Sequence, residues 1–185
     1  YRSPLLMEAT KSAIVVIDVQ EKLLPAIQNF ETVQANIERL LDAAAILQVT
    51  AVGTEQYPQG LGSTVAGVRD KLAVELPDKT MVSCRECEPM FRQLAQRGIQ
   101  NLLLCGIETH VCVAQTALDM VAAGFNVYLS VDAIGSRFVI DHDVALRRLE
   151  ISGCTLTTTE AAIFELCEQA GDERFKAISK LVRQR

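Results

Sequence analysis

The stretch 99–112 constrains the fold more than any other part of the chain, because it reads in order as a buried strand, a tight turn and the first turn of a helix. Leu102, Leu103, Leu104 and Cys105 form a continuous apolar run of strand length, the pattern of a strand covered on both faces. With Thr109 as N-cap, its side-chain oxygen accepts from the second or third helical N–H, and His110, Val111 and Cys112 take the first three helical positions. The helix is then predicted to run to about Gly124, with Val113, Thr116, Ala117, Met120 and Val121 on one face. A thiol at such a helix start feels unpaired N–H groups and the positive end of the dipole, and both favour the thiolate. Cys112 is thereby a candidate nucleophile at neutral pH.

The rest of the chain repeats the alternation. Residues 13–18 are a nearly continuous apolar run closed by Asp18, and Val33, Ile37, Leu40, Leu41 and Ala44 mark a helix over 32–48. A second strand is predicted over 49–54. The loop 55–63 follows, and its Pro58, Gly60 and Gly62 argue against regular structure. A short third strand over 80–82 and a helix over 89–97, closed by Gly98, lead into the fourth strand, 99–105. A fifth strand (125–131), a helix (141–152), a weak sixth strand (154–157) and closing helices over 160–170 and 173–182 complete the pattern. This alternation predicts an α/β fold of three αβα layers, Rossmann-like, around a six-stranded, mostly parallel sheet. The 185 residues, 49% of them hydrophobic, suffice for one substantial core. With no internal repeat, low-complexity stretch or linker, a single domain over 1–185 is expected.

Several partner classes fall away. The 18 basic and 23 acidic residues give a net charge of −5, and no basic run with interleaved aromatics tracks a phosphate backbone, so nucleic acid is not an expected partner. The longest apolar runs fall far short of the roughly 18–20 residues that span a bilayer, so no membrane is expected either. The six cysteines, in a chain with this apolar fraction, are expected to stay reduced inside a cell, in the cytoplasm or an organelle such as a mitochondrion or peroxisome. The chain opens at Tyr1, so an absent targeting signal cannot be argued.

Ligands of an open parallel sheet gather at the carboxyl ends of its strands. Asp18 closes the first strand there, and a carboxylate in that place caps a helix, pairs with a cation or transfers protons. Lys79, beside Pro77, reads either as a solvated lysine or as that cation. Cys112 alone reads equally as a small buried hydrophobe. Taken together, the three offer a base, a cation and a thiol.

The runs 16–20, 78–80 and 105–113 resemble the isochorismatase-like cysteine hydrolases, and the loop 54–62 is similar to that of the isochorismatase domain-containing proteins. The resemblance implies a triad of Asp18, Lys79 and Cys112. Asp18 takes the thiol proton and returns it to the leaving group, Lys79 stabilises the thiolate, and Cys112 attacks a carbonyl-type carbon. It further implies a cis bond between Ile107 and Glu108 that aims the N–H groups of Glu108 and Cys112 at a developing oxyanion. Gln20, Gln56, Tyr57 and His110 are the candidate pocket residues. Family members form homo-oligomers, which implies the same here.

Two departures narrow the reading. The metal-dependent nicotinamidases of this family carry histidines after the second strand, whereas residues 53–57 contain none, so no metal site and no cofactor are expected. Isochorismatases proper generally lack the cysteine, so hydrolysis of a small amide or related C–N bond through a thioester is the leading expectation. The competing one is a catalytically idle member whose pocket binds a small ligand or whose surface serves assembly. Cys84 and Cys87 have redox spacing but lack a second pair and read as ordinary thiols. His142 reads as a surface residue.

Overall fold

The computed structural model describes residues 1–171 and 173–183. Its elements, in chain order, are β1 (Ser12–Ile17), α1 (Phe30–Leu47), β2 (Thr50–Gln56), α2 (Pro58–Leu61), α3 (Ala66–Arg69), β3 (Asp78–Lys79), α4 (Glu88–Gln96), β4 (Asn101–Ile107), α5 (Ala114–Ala122), β5 (Asn126–Gly135), α6 (Val139–Ile151), β6 (Thr155–Thr157), α7 (Thr159–Cys167) and α8 (Glu173–Val182). All five strand pairings are parallel, in the order β3-β2-β1-β4-β5-β6. The sheet is therefore all-parallel rather than mostly so.

Strand order reverses between β1 and β4, which leaves a crevice at their carboxyl ends. Right-handed crossovers that run in opposite directions from this point put their helices on opposite faces. Accordingly α1, α7 and α8 pack together on one side, while α5 packs against β5, α6 and the turn Cys84–Cys87 on the other. Every residue of β1 and β4 is buried, as their unbroken apolar runs require.

Packing rather than capping holds α1. Its Asn29 N-cap makes no side-chain cap bond, yet Val33, Ile37, Leu40, Leu41, Ala44 and Leu47 are all buried. Each fully buried Ile or Leu contributes about 1.5–3 kcal/mol, more than the ~1 kcal/mol of a typical cap.

Several boundaries differ from the sequence expectation. The third strand lies at Asp78–Lys79, not 80–82, paired as Glu55 with Asp78 and Gln56 with Lys79. A lysine does not announce a buried strand position; its charge is satisfied by Asp18 and Gln56, remote in sequence, together with the carbonyls of Met81 and Val82. The stretch 55–63 is not irregular throughout: β2 continues to Gln56, and Pro58 opens the single turn α2 at a position where its fixed φ suits a helix. β5 runs on to Gly135, and α6 begins at Val139 rather than 141. Among the described residues, no helix is long and apolar enough to cross a membrane.

Candidate active site

Asp18 leaves β1 with φ of 52°, a left-handed conformation that aspartate tolerates better than most side chains. Its backbone N–H donates to the Thr54 carbonyl (3.2 Å), and its carboxylate, fully buried, accepts from the Thr54 hydroxyl at Oδ1 (2.9 Å). Lys79 Nζ lies 2.7 Å from Oδ2, and neither side chain reaches solvent. The ammonium also donates to Gln56 Oε1 (2.5 Å), the Val82 carbonyl (2.9 Å) and the Met81 carbonyl (3.2 Å). With these acceptors engaged, Oδ2 meets the ammonium as an ion pair and has no directed hydrogen-bond donor among the described residues. Taking either charge out of water alone costs several kcal/mol, so each is held by the other.

Cys112 reaches the same place from β4. Gly106 is the pivot: its φ is 121°, and a Cβ there would stand 2.1 Å from the Ile17 carbonyl oxygen of the neighbouring strand. The Ile107–Glu108 peptide is cis. The chain then enters a π-helical turn, Thr109–Val113, before α5 begins, and the Glu108 carbonyl accepts from Val111 (3.0 Å) and Val113 (3.2 Å). Turns of this kind are frequent at functional sites. Glu108, not Thr109, is the N-cap, because the Thr109 hydroxyl is engaged by His142 Nδ1 at 2.9 Å. His142 is accordingly half-buried, not a surface residue, and burial lowers its pKa.

The electrostatics overturn the expectation of a resting thiolate. Burial pushes the Cys112 thiol up from its ordinary value, the Asp18 carboxylate pushes it further, and Lys79 only partly opposes them. The dipole of a helix start is worth at most about 2 kcal/mol, too little to offset burial beside a carboxylate. Cys112 therefore rests as a thiol. For Lys79, burial favours the neutral amine, but the charge and hydrogen bonding of Asp18 oppose it, and the pKa is raised. Lys79 is a fixed cation.

Two residues of this cluster were not foreseen. Thr54 pairs in register with Ile17, one residue before Asp18, so strand pairing could have revealed it. Cys84, fully buried, has its sulfur 3.4 Å from the Thr54 hydroxyl, and burial raises its pKa to about 11. Its N–H donates to Thr116 of α5 (2.9 Å), and Ser83 donates to Asp119 (2.6 Å), which ties the segment after Lys79 to the helix after Cys112.

The remaining candidates divide. The buried Gln20 amide donates to the carbonyls of Gln56 (2.9 Å) and Gly62 (2.7 Å) and accepts from the Gln56 N–H (2.7 Å); it holds the 56–62 segment rather than facing a ligand. Gln56 orients Lys79. Tyr57 is 55% exposed, its ring over Gly60. Ile107 is fully buried, and the Glu108 carboxylate is clamped by the Arg137 N–H (3.0 Å) and Nε (3.1 and 3.2 Å). His110 Nδ1 lies 3.0 Å from Ser136 Oγ, beside a cavity of about 330 Å³ lined by Asn29, Val33, Ser136, Val139 and His142. Among the described residues, no group of three or more His, Cys, Asp or Glu side chains is arranged to hold a metal ion.

The isochorismatase domain family model matches residues 12–161. Isochorismatase domain-containing protein 1 from Danio rerio is 37% identical over 174 residues, which are 93% of this chain and 61% of that protein. The solved structure of a protein described as MAR1 ribonuclease from Caenorhabditis elegans is 40% identical, with a TM-score of 0.90 over 97% of this chain and 93% of that one. The YcaC gene product of Escherichia coli, described as an octameric hydrolase of unknown specificity, shares the fold at 21% identity, with a TM-score of 0.89 over 98% of this chain and 91% of that one.

Proposed function

This chain belongs to the isochorismatase family, and from that premise we propose that it is a cysteine hydrolase cleaving a small amide or related C–N bond through a thioester on Cys112. The observation that carries the reading is the solvent-free Lys79–Asp18 pair, 2.7 Å apart and beside Cys112 at the strand crevice. Asp18 Oδ2, without a directed donor, takes the thiol proton as the sulfur attacks the substrate carbonyl carbon. The carbonyl electron pair moves onto oxygen, where the backbone N–H groups of Glu108 and Cys112 stabilise it. On collapse the C–N bond breaks, and the amine leaves with the proton held by Asp18. Water then attacks the thioester, giving its proton to Asp18, and the acid departs as the thiol reforms. Net charge in the pocket stays constant because each proton arriving at Asp18 is matched by a negative sulfur or oxygen, and the Lys79 ammonium faces that one negative charge at every step.

No cofactor takes part in this scheme. The chemistry requires a reduced Cys112, which supports a reducing compartment. The octameric state of the E. coli neighbour supports a homo-oligomer. The test is ammonia release from a panel of small primary amides, with RNA oligonucleotides as a second arm. Turnover of an amide that vanishes in Cys112→Ala supports the reading. RNA cleavage that survives Cys112→Ala, with every amide inert, would overturn it, and ligand binding without turnover would show an idle family member.

A further inference from the structure

The outward face of α6 is apolar where a solvated helix face should be polar. Ala145 and Leu149 point into the molecule, while Ile140, Val144 and Ile151 are 65%, 53% and 87% exposed. The spacing i, i+4, i+11 puts these three on one stripe. Phe138 and Val139, just before the stripe and off its line, are also exposed, 59% and 58%. The three side chains of the stripe expose on the order of 300 Å² of apolar surface, within the range of patches that mark an interaction site on a folded chain.

The charges flanking the stripe are what identify its occupant. On one flank Asp143 precedes Arg147, and on the other Asp141 precedes Arg148, so both edges are acidic toward the N-terminal end of the helix and basic toward the C-terminal end. A parallel neighbour of the same kind would set like charges together. An antiparallel one brings opposite charges together on both edges at once, and a two-fold axis between identical faces produces that arrangement.

We propose that this face of α6 is the contact between two copies of this chain, packed antiparallel about a two-fold axis near Ala145. In that packing Asp143 faces the second copy's Arg147, Asp141 faces its Arg148, and Ile140 of each copy lies near Ile151 of the other. The contact adjoins the site. The Arg137 guanidinium lies 5.9 Å from the Phe138 ring centroid and holds Glu108, and α6 packs on the turn that carries Cys112. Covering the stripe thus buries the outer support of the Glu108 clamp. The homo-oligomer proposed above is the premise of this inference, which adds the surface and the register.

Sedimentation velocity from 1 to 100 µM on the full chain tests it. Asp143→Arg and Arg147→Asp are each expected to weaken association at least tenfold, and the double reversal to restore it to within about threefold. Mixing an Ile140→Cys chain with an Ile151→Cys chain is expected to give a heterodimeric disulfide on mild oxidation. If a reversal impairs folding by circular dichroism, Ile151→Glu at the most exposed position replaces it, with the same loss expected. A wild-type chain monomeric at 100 µM would overturn both the assembly and its surface. An assembly indifferent to all these changes, with no cross-link, would overturn the α6 contact alone.

Discussion

Replacing Lys79 by methionine keeps the buried stem and removes the charge, which leaves the Asp18 carboxylate in a solvent-free site without its cation and removes the donor to Gln56 Oε1 and the Met81 and Val82 carbonyls. Breaking a buried pair in this way costs about 3–5 kcal/mol. A domain of this size carries roughly 5–15 kcal/mol in all, so Lys79→Met is expected to fold but with a much lower urea midpoint. Asp18→Asn should cost a similar amount, because it strands the ammonium. The double change Asp18→Asn with Lys79→Met strands neither charge and is expected to cost about 2–3 kcal/mol less than the sum of the singles. Urea titrations of the four chains at pH 7 give the cycle. Additivity within about 0.5 kcal/mol would refute the account of the buried pair.

Cys112, held as a thiol by burial and by Asp18, should react with iodoacetamide at pH 6–7 more slowly than an ordinary thiol of pKa about 8.5; Asp18→Asn, which removes one of the two forces raising its pKa, should speed alkylation while abolishing hydrolysis. Rapid labelling of the folded wild type at pH 6 would contradict this. Gly106→Ala combines a positive φ with a Cβ 2.1 Å from the Ile17 carbonyl, so a loss of at least about 2 kcal/mol in chemical denaturation is expected, and an unchanged midpoint would show that the β1–β4 approach is not tight. Gln20→Leu strands two carbonyls and one N–H of the 56–62 segment at about 1 kcal/mol each; limited proteolysis should then cut that segment faster, and an unaltered cleavage pattern would argue against its anchoring role.

What the chain disclosed in advance tracks how local its causes are. The apolar runs of β1 and β4 marked the two central strands, whose only polar members, Ser12 and Asn101, bond to each other at the start of the runs, and the carboxyl ends of those runs pointed to Asp18 and to the turn that carries Cys112. Lys79 was legible as a residue but not as a strand position, since what buries it is a carboxylate 61 residues earlier and three carbonyl oxygens. The Thr109 cap failed for a related reason: a local side-chain bond to the helix start lost to His142, brought in by α6. The protonation state of Cys112 went the same way. A helix start favours the thiolate, but the carboxylate and the burial that reverse the balance come from tertiary packing. Gln20, read as a pocket residue, turned out to be consumed by backbone groups that only the folded loop presents.

The central claim, that Asp18, Lys79 and Cys112 act as one unit on a carbonyl carbon, is tested most directly by rapid acid quench of the enzyme turning over an active amide, followed by peptide mass spectrometry. The account expects an acyl adduct confined to Cys112, formed within the first turnover, absent in Cys112→Ala and not formed in Asp18→Asn. Hydrolysis with no adduct on Cys112 at any quench time, or an adduct that forms at the wild-type rate in Asp18→Asn, would contradict it.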